Sequence, residues 1–184
     1  MTTTPFRVTT PRLTVPINET DHVRGPEDAP VTMLEYGDFQ CPYCGAAYPV
    51  VEALLAQRAE TVRFAYRHFP LTNVHPYAEP AAETAEAAGA RGSFWPMHHW
   101  LFEHQAELDP ASRLAGAAQI GLPPDAVEHE VAGHVYLDEI QRDFAGGVRS
   151  GVNGTPTFFI NGLRHDGAHS LADLLQAVDT ARES

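Results

Sequence analysis

Between residues 30 and 70 the spacing of apolar positions changes twice. "VTMLEY", residues 31–36, is a continuous apolar and β-branched run, the pattern of a buried strand. After the loop "GDFQ", Ala47, Val51, Leu54 and Leu55 recur at helical spacing and make an apolar stripe, with Arg58 one turn further. "TVRFAYRHF", 61–69, then sets Val62, Phe64, Tyr66 and His68 against Thr61, Arg63, Ala65 and Arg67. It predicts a second strand, ended by Pro70. Strand, helix and parallel strand make a right-handed crossover unit.

From about 75 to 150 no strand pattern occurs, and the chain is rich in Ala, Glu and His. "YAEPAAETAEAAGARG" predicts a helix stopped by Gly. "SFWPMHHWLFEHQ" predicts a second, with Phe94, Met97, His98, Leu101, Phe102 and Gln105 on one side. "PASRLAGAAQIGL" predicts a third, and "PPDAVEHEVAGHVYLDEIQRDFAGGVRS" a single fourth. Strand patterning returns in "TPTFFINGLRHDG", where two apolar runs flank Asn161-Gly162, a strong hairpin signal. In the closing "SLADLLQAVDTARE", Ser170 and Asp173 form a capping pair, and Leu171, Leu174, Leu175 and Val178 form the stripe. Residues 1–29 are polar and Thr/Pro-rich, an arm with a short strand expected at "RLTVPI". The whole is an α/β frame with an all-helical block set inside it.

The net charge is −12, and all twelve cations are arginine. This balance argues against nucleic-acid binding, which needs a basic surface, and against docking to anionic lipid. The acidic excess is expected to be solvated surface. No apolar run approaches the roughly 20 residues that span a bilayer, so no membrane insertion is expected. The first residues lack a basic stretch followed by an apolar one, so no export signal is read and a cytoplasmic location is expected. A periplasmic location would follow if a native signal had been removed.

Both cysteines of the chain fall in "CPYC", Cys41 and Cys44. As a structural clip the pair would close a very short loop and stabilise little. As a zinc site it needs two further ligands, but no second Cys-x-x-Cys exists and the ten histidines are scattered. Disulfide exchange suits it better. At a helix start the first sulfur faces unbonded N–H groups and the positive end of the helix dipole, which favours the thiolate. The second lies a turn deeper. Cys41 is thus the expected nucleophile and Cys44 the resolving thiol. Pro42, suited to the first helical position, and Tyr43 tune the pair and flank the incoming substrate. Neither brings a positive charge, so less thiolate stabilisation is expected than a histidine would give. Glu35, six positions earlier on the buried strand, is either a buried acid that relays a proton to the second sulfur or a strand-end residue reaching water. Asp38 is expected to be a loop or cap residue. His68 and His75 are expected to pack or cap near the strand end, and His98 and His99 to be a core-edge and surface pair. Phe39, Tyr43, Phe94 and Trp95 are candidates for an apolar groove around Cys41. Pro156 opens the late strand, a position that often marks a tight or cis-containing connection.

Taken together, "GPEDAPVTMLEYGDFQCPYCG", "FAYRHFPL", "HPYAEPAAETAEAAGARGSFWPMHHWLFEHQ" and "GVNGTPTFFING" resemble the DsbA-like thiol–disulfide oxidoreductases of the thioredoxin superfamily. The branch it resembles most includes tails on sodium/proton antiporters. The resemblance implies a thioredoxin-like fold with an inserted all-helical domain: arm 1–29, thioredoxin-like domain 30–72 and 152–184, insertion 73–151. It implies a cis Pro156 packed against the cysteines, Thr155 pairing its backbone with an extended substrate, and Glu35 as the buried acid. It implies exchange with protein or peptide thiols and disulfides, through a redox partner protein, with no cofactor and no metal. The dipeptide is Pro-Tyr where the periplasmic oxidant has Pro-His. With no export signal read, net reduction or isomerisation is expected. A redox-sensing or partner-binding module without turnover is the alternative. A glutathione-transferase-like enzyme fits less well, because those generally lack the second cysteine.

Overall fold

A computed structural model describes residues 11–184. Five strands form one sheet: β1 (His22–Arg24), β2 (Val31–Gly37), β3 (Val62–His68), β4 (Thr157–Ile160) and β5 (Leu163–Arg164), in the order β1-β3-β2-β4-β5. β2 and β3 run parallel, joined through α1 (Pro42–Gln57), while the other pairings are antiparallel. The helices α2 (Ala78–Gly89), α3 (Phe94–Glu103), α4 (Pro110–Gln119), α5 (Pro124–Ala132) and α6 (Leu137–Arg149) lie between β3 and β4 in the chain. α7 (Leu171–Glu183) closes it.

The central strands are buried on both faces, as a parallel pair covered by helices must be. On one face Val31, Met33, Phe64, Tyr66, Phe158 and Ile160 join a core that includes Leu54 of α1, Leu101 of α3 and Leu174 of α7. On the other, Leu34, Tyr36, Ala65 and Phe159 meet Phe69 and Val152, with Leu13, Ile17 and Phe144 packed alongside. The second face is closed by α6. Its Gly147 lies so close to the sheet that a Cβ there would stand 2.8 Å from the Phe69 ring and 3.0 Å from the Tyr36 ring. Gly147→Val is therefore expected to cost about 2 kcal/mol through overpacking. A lower urea midpoint at an unchanged denaturant slope would show it; an unmoved midpoint would mean that α6 shifts freely.

The hairpin forms at Asn161-Gly162, whose φ values of 46° and 76° are those of a two-residue turn with both central residues left-handed. Ser170 caps α7 through Asp173 N–H at 3.2 Å. Three expectations need correction. The single fourth helix is two, α5 and α6. His134 adopts a left-handed φ of 52°, its N–H reaches Val131 O at 3.1 Å, and Val135 N–H reaches Glu130 O at 3.1 Å. That is a Schellman termination with histidine in the place glycine usually holds. At "RLTVPI" only an isolated bridge between Arg12 and Leu163 forms, since the flanking prolines have no N–H to extend a ladder. The described part of the tract read as an arm, residues 11–29, instead gives the sheet its edge strand β1, and residues 1–10 lie outside the described residues.

The acids are not all surface. Glu35, Asp38, Glu83 and Glu86 are buried. Glu86 is held by His22 Nε2 at 2.8 Å and His68 Nε2 at 2.7 Å. Burial pushes its pKa up, but these bonds win and hold it at about 2. Arg67, also buried, is bound by both carboxylate oxygens of Asp21, at 2.6 and 2.7 Å.

Candidate active site

Cys41 is the N-cap of α1, with extended backbone, and Pro42 is the first helical residue. β2 ends at Gly37, so a short loop carries the chain from the sheet to the helix start. It is fixed by Asp38, whose side chain is fully buried. Its Oδ1 accepts from Gln40 N–H at 2.8 Å and Cys41 N–H at 3.2 Å. Its Oδ2 accepts from Leu71 N–H at 2.9 Å and bonds His75 Nδ1 at 2.7 Å. Asp38 is thus the expected loop residue, but it also ties the loop after β3 to the cysteine loop. That second duty has no local signal, because Leu71 and His75 lie 33 and 37 positions away.

The two thiols are free and sit in different surroundings. Cys44 is wholly covered, and Cys41 keeps 3% of its surface. The Cys41 pKa is pulled down to about 5, first by the hydrogen bond from Cys44. Partial burial opposes this, while the Thr155 side chain and the N–H groups of Cys44 and Tyr43 add to it. The Cys44 pKa is pushed well up, mainly by burial and then by its bond to Cys41 and the neighbouring Glu35. The Cys41 shift is larger than the Pro-Tyr dipeptide suggests, because its leading source is the second thiol. Alkylation of reduced protein by iodoacetamide should therefore show one fast thiol with a half-point near pH 5, against about 8.5 for a free cysteine. A half-point above about 8 would contradict this environment.

Glu35 is 3% exposed and lies on the face of β2 that carries Val31 and Met33 into the larger core. Burial raises its pKa to about 8; Arg24 opposes, while Glu52 and Cys41 add. It is therefore the buried acid and not a strand-end residue reaching water. Arg24 is itself an unforeseen neighbour. It ion-pairs with Glu52 and lies 4.7 Å from the Trp95 ring centre, brought in by edge strand β1.

Pro156 is buried, and the Thr155–Pro156 peptide is cis. The Cys41 thiol donates to Thr155 O at 3.4 Å, so the turn before β4 meets the cysteine loop. The ladder of β4 begins at Thr157, leaving the Thr155 peptide outside it. Tyr43 is 74% exposed beside the nucleophile.

The four-aromatic groove does not form. Phe39 and Phe94 are core residues, and Trp95 packs on Phe64 and Arg24, leaving Tyr43 alone at the surface near Cys41. His98 is not at the core edge but fully inside, among Phe39, Tyr66, Trp95 and Phe102. Neither of its ring nitrogens is bonded, and burial pushes its pKa well down. Among the described residues, the group whose donor atoms could gather a metal ion is Glu79, Glu83 and His134, on α2 and the α5–α6 turn. It includes neither cysteine. A cleft of about 940 Å³ between α6 and the residues before β1 also includes neither.

A family model described as thioredoxin matches residues 17–180. The chain belongs to the thioredoxin family. This thioredoxin-family chain is 49% identical over 170 residues to a protein of Salinispora arenicola named Na⁺/H⁺ antiporter NhaA 1, a match over 92% of this chain and 26% of that protein. It thus spans about a quarter of the length of the curated relatives it matches. The fold is that of DsbA-type structures. A thioredoxin-like oxidoreductase from Silicibacter pomeroyi superposes with a TM-score of 0.81 at 27% identity, over 91% of this chain and 95% of that one. A double-substituted variant of alpha-DsbA1 from Wolbachia pipientis superposes with a TM-score of 0.80 at 21% identity, over 93% of this chain and 94% of that one.

Proposed function

We propose that this thioredoxin-family chain is a thiol–disulfide oxidoreductase acting on protein or peptide substrates through Cys41 and Cys44. The observation that carries it is the splitting of the two sulfurs: one drawn down to about 5 at a helix start, the other pushed up beneath it. A structural clip needs no such asymmetry, whereas exchange needs one ready leaving thiolate and one reserve thiol. The oxidoreductase name of the Silicibacter pomeroyi structure supports the reading. The relatives' names speak of ion transport. The proposal is thiol exchange because this chain brings together two thiols, an acid and a strand end. Among the described residues, no helix is long and apolar enough to cross a membrane.

A substrate thiolate attacks Cys41 of the Cys41–Cys44 disulfide, forming a substrate–Cys41 bond and releasing Cys44. Glu35, still protonated at neutral pH, gives the emerging Cys44 sulfur its proton. A second substrate thiolate attacks the substrate sulfur of the mixed disulfide. Cys41 leaves as its stable thiolate, the substrate gains a disulfide, and two electrons rest on the pair. The extended substrate lies along Thr155, whose peptide is free of the ladder, with Pro156 and Tyr43 flanking it. A thiolate stabilised in this way favours the reduced pair, so net flow runs toward oxidising substrates. That direction opposes the net reduction or isomerisation expected from the sequence, and an oxidising compartment would suit it.

The test is turnover: oxidative refolding of a reduced, unfolded substrate and reduction of insulin by dithiothreitol, with and without the protein. Acceleration of either supports the enzyme. Reversible oxidation of the pair with no acceleration of either would leave the redox-sensing or partner-binding module.

A further inference from the structure

Gln105 lies in the turn just after α3, half-buried, with its side chain reaching back to the cysteine loop. Its Nε2 is 2.8 Å from Phe39 O and 2.8 Å from Cys41 O. Both partners only accept, so the NH₂ end of the amide must face them. The other end, Oε1, occupies the space beside Gly45, where an added Cβ would collide with it. Gly45 in turn donates its N–H to Cys41 O at 3.0 Å, the first bond of α1. The Cys41 carbonyl thus accepts from the helix and from Gln105 together.

We propose that Gln105 is a positioning residue for thiol exchange, clamping the carbonyls of Phe39 and Cys41 so that the first turn of α1 keeps its N–H groups on the Cys41 sulfur. This rests on the oxidoreductase reading above. The clamp brackets Gln40 on both sides, where Asp38 already holds the N–H groups of Gln40 and Cys41. Asp38 therefore fixes the donors of this loop and Gln105 fixes its acceptors. The NH₂ group also turns the positive end of its dipole toward the cysteine. Docking of α3 does not depend on the two bonds. Phe102 packs on Phe39 and Tyr48 with ring centres 5.0 and 5.3 Å apart, and the Tyr48 hydroxyl bonds His99 Nδ1 at 2.8 Å. Glycine at position 45 is unfavourable inside a helix, and the space it leaves is filled by the Gln105 amide.

Two variants test this from opposite directions. Gln105→Leu keeps the bulk and removes the donors. Gly45→Ala improves helix propensity and pushes the amide off its carbonyls. Both are expected to raise the half-point of Cys41 thiolate formation, read by ultraviolet absorbance, by about one unit. Both are expected to shift the glutathione equilibrium about tenfold toward the disulfide form, or about 30 mV for two electrons. Gly45→Ala should do so with an equal or higher melting temperature, which a loss of fold would not give. If Gln105→Leu does not fold, Gly45→Ala carries the test alone. Folded variants whose half-point and equilibrium stay within about twofold of the parent would overturn the proposal. The thiolate titration needs no turnover. An inactive parent with shifted variants would sink the oxidoreductase reading and keep the clamp; an active parent with unmoved variants would sink the clamp.

Discussion

Cys41→Ser is expected to lower the rate of substrate disulfide exchange by about a thousandfold or more. A serine hydroxyl is not ionised near neutral pH and forms no disulfide, so neither half of the cycle can start. The remaining thiol, Cys44, is a poor substitute. It has no exposed surface, and its pKa is pushed well above that of a free cysteine by burial. The complementary variant separates the two roles. Cys44→Ser keeps the nucleophile, which can attack a substrate disulfide in the reverse direction, but lacks the thiol that would resolve the bond formed. It should accumulate a mixed disulfide with substrate, visible as a heavier band on a non-reducing gel that dithiothreitol removes. Cys41→Ser should show no such band. If Cys41→Ser kept more than about a tenth of the parent rate, Cys44 would have to be the attacking sulfur, and the assignment drawn from the helix start would fail.

The second large effect is on stability. Glu35 has its folded pKa at about 8, against 4.5 for an ordinary glutamate. Below pH 4.5 the folded and unfolded chains both hold the proton, so the buried acid adds no pH-dependent cost. As pH rises from 4.5 to about 8 the unfolded chain releases its proton while the fold retains it, and stability falls. The fall levels off above about 8, at a total of about 5 kcal/mol. Glu35→Gln removes this slope. Urea unfolding of the reduced proteins at about pH 4 and about pH 9 should show the variant gaining about 5 kcal/mol on the parent between the two. Parallel stabilities across that range would mean that Glu35 titrates as a solvated acid. The same substitution should slow disulfide exchange by about a hundredfold near pH 7, because glutamine has no proton to give Cys44. Its effect on Cys41 alkylation should be small, since the leading source of that thiolate's stability is Cys44.

Much of this is legible along the chain because its physical basis is local. The buried run at 31–36, the helical stripe after CPYC, and Asn161-Gly162 between two apolar runs each depend on neighbours a few positions apart. So does the placing of Cys41 at the cap of a helix and Cys44 in its first turn. The break between α5 and α6 lacks such a signal, because the terminator is a histidine in a left-handed conformation. Such a position usually calls for glycine, and the glycine lies one residue earlier.

What only the tertiary structure decided are the terms that depend on groups distant in sequence. Edge strand β1 is three residues long and carries a charged side chain, so it has no apolar pattern of its own. It exists because β3 offers it a ladder. The acidic excess reads as surface in the sequence, yet Glu86 is buried, because histidines from two strands supply its bonds. Asp38 and Gln105 can be placed on a loop and a helix end from the sequence, but not against the same stretch of backbone. The sequence by itself determined the fold class and the placing of two cysteines at the start of one helix. Packing determined how far apart their pKa values lie, because burial, the Thr155 turn and the neighbouring Glu35 reach them only once the sheet is closed.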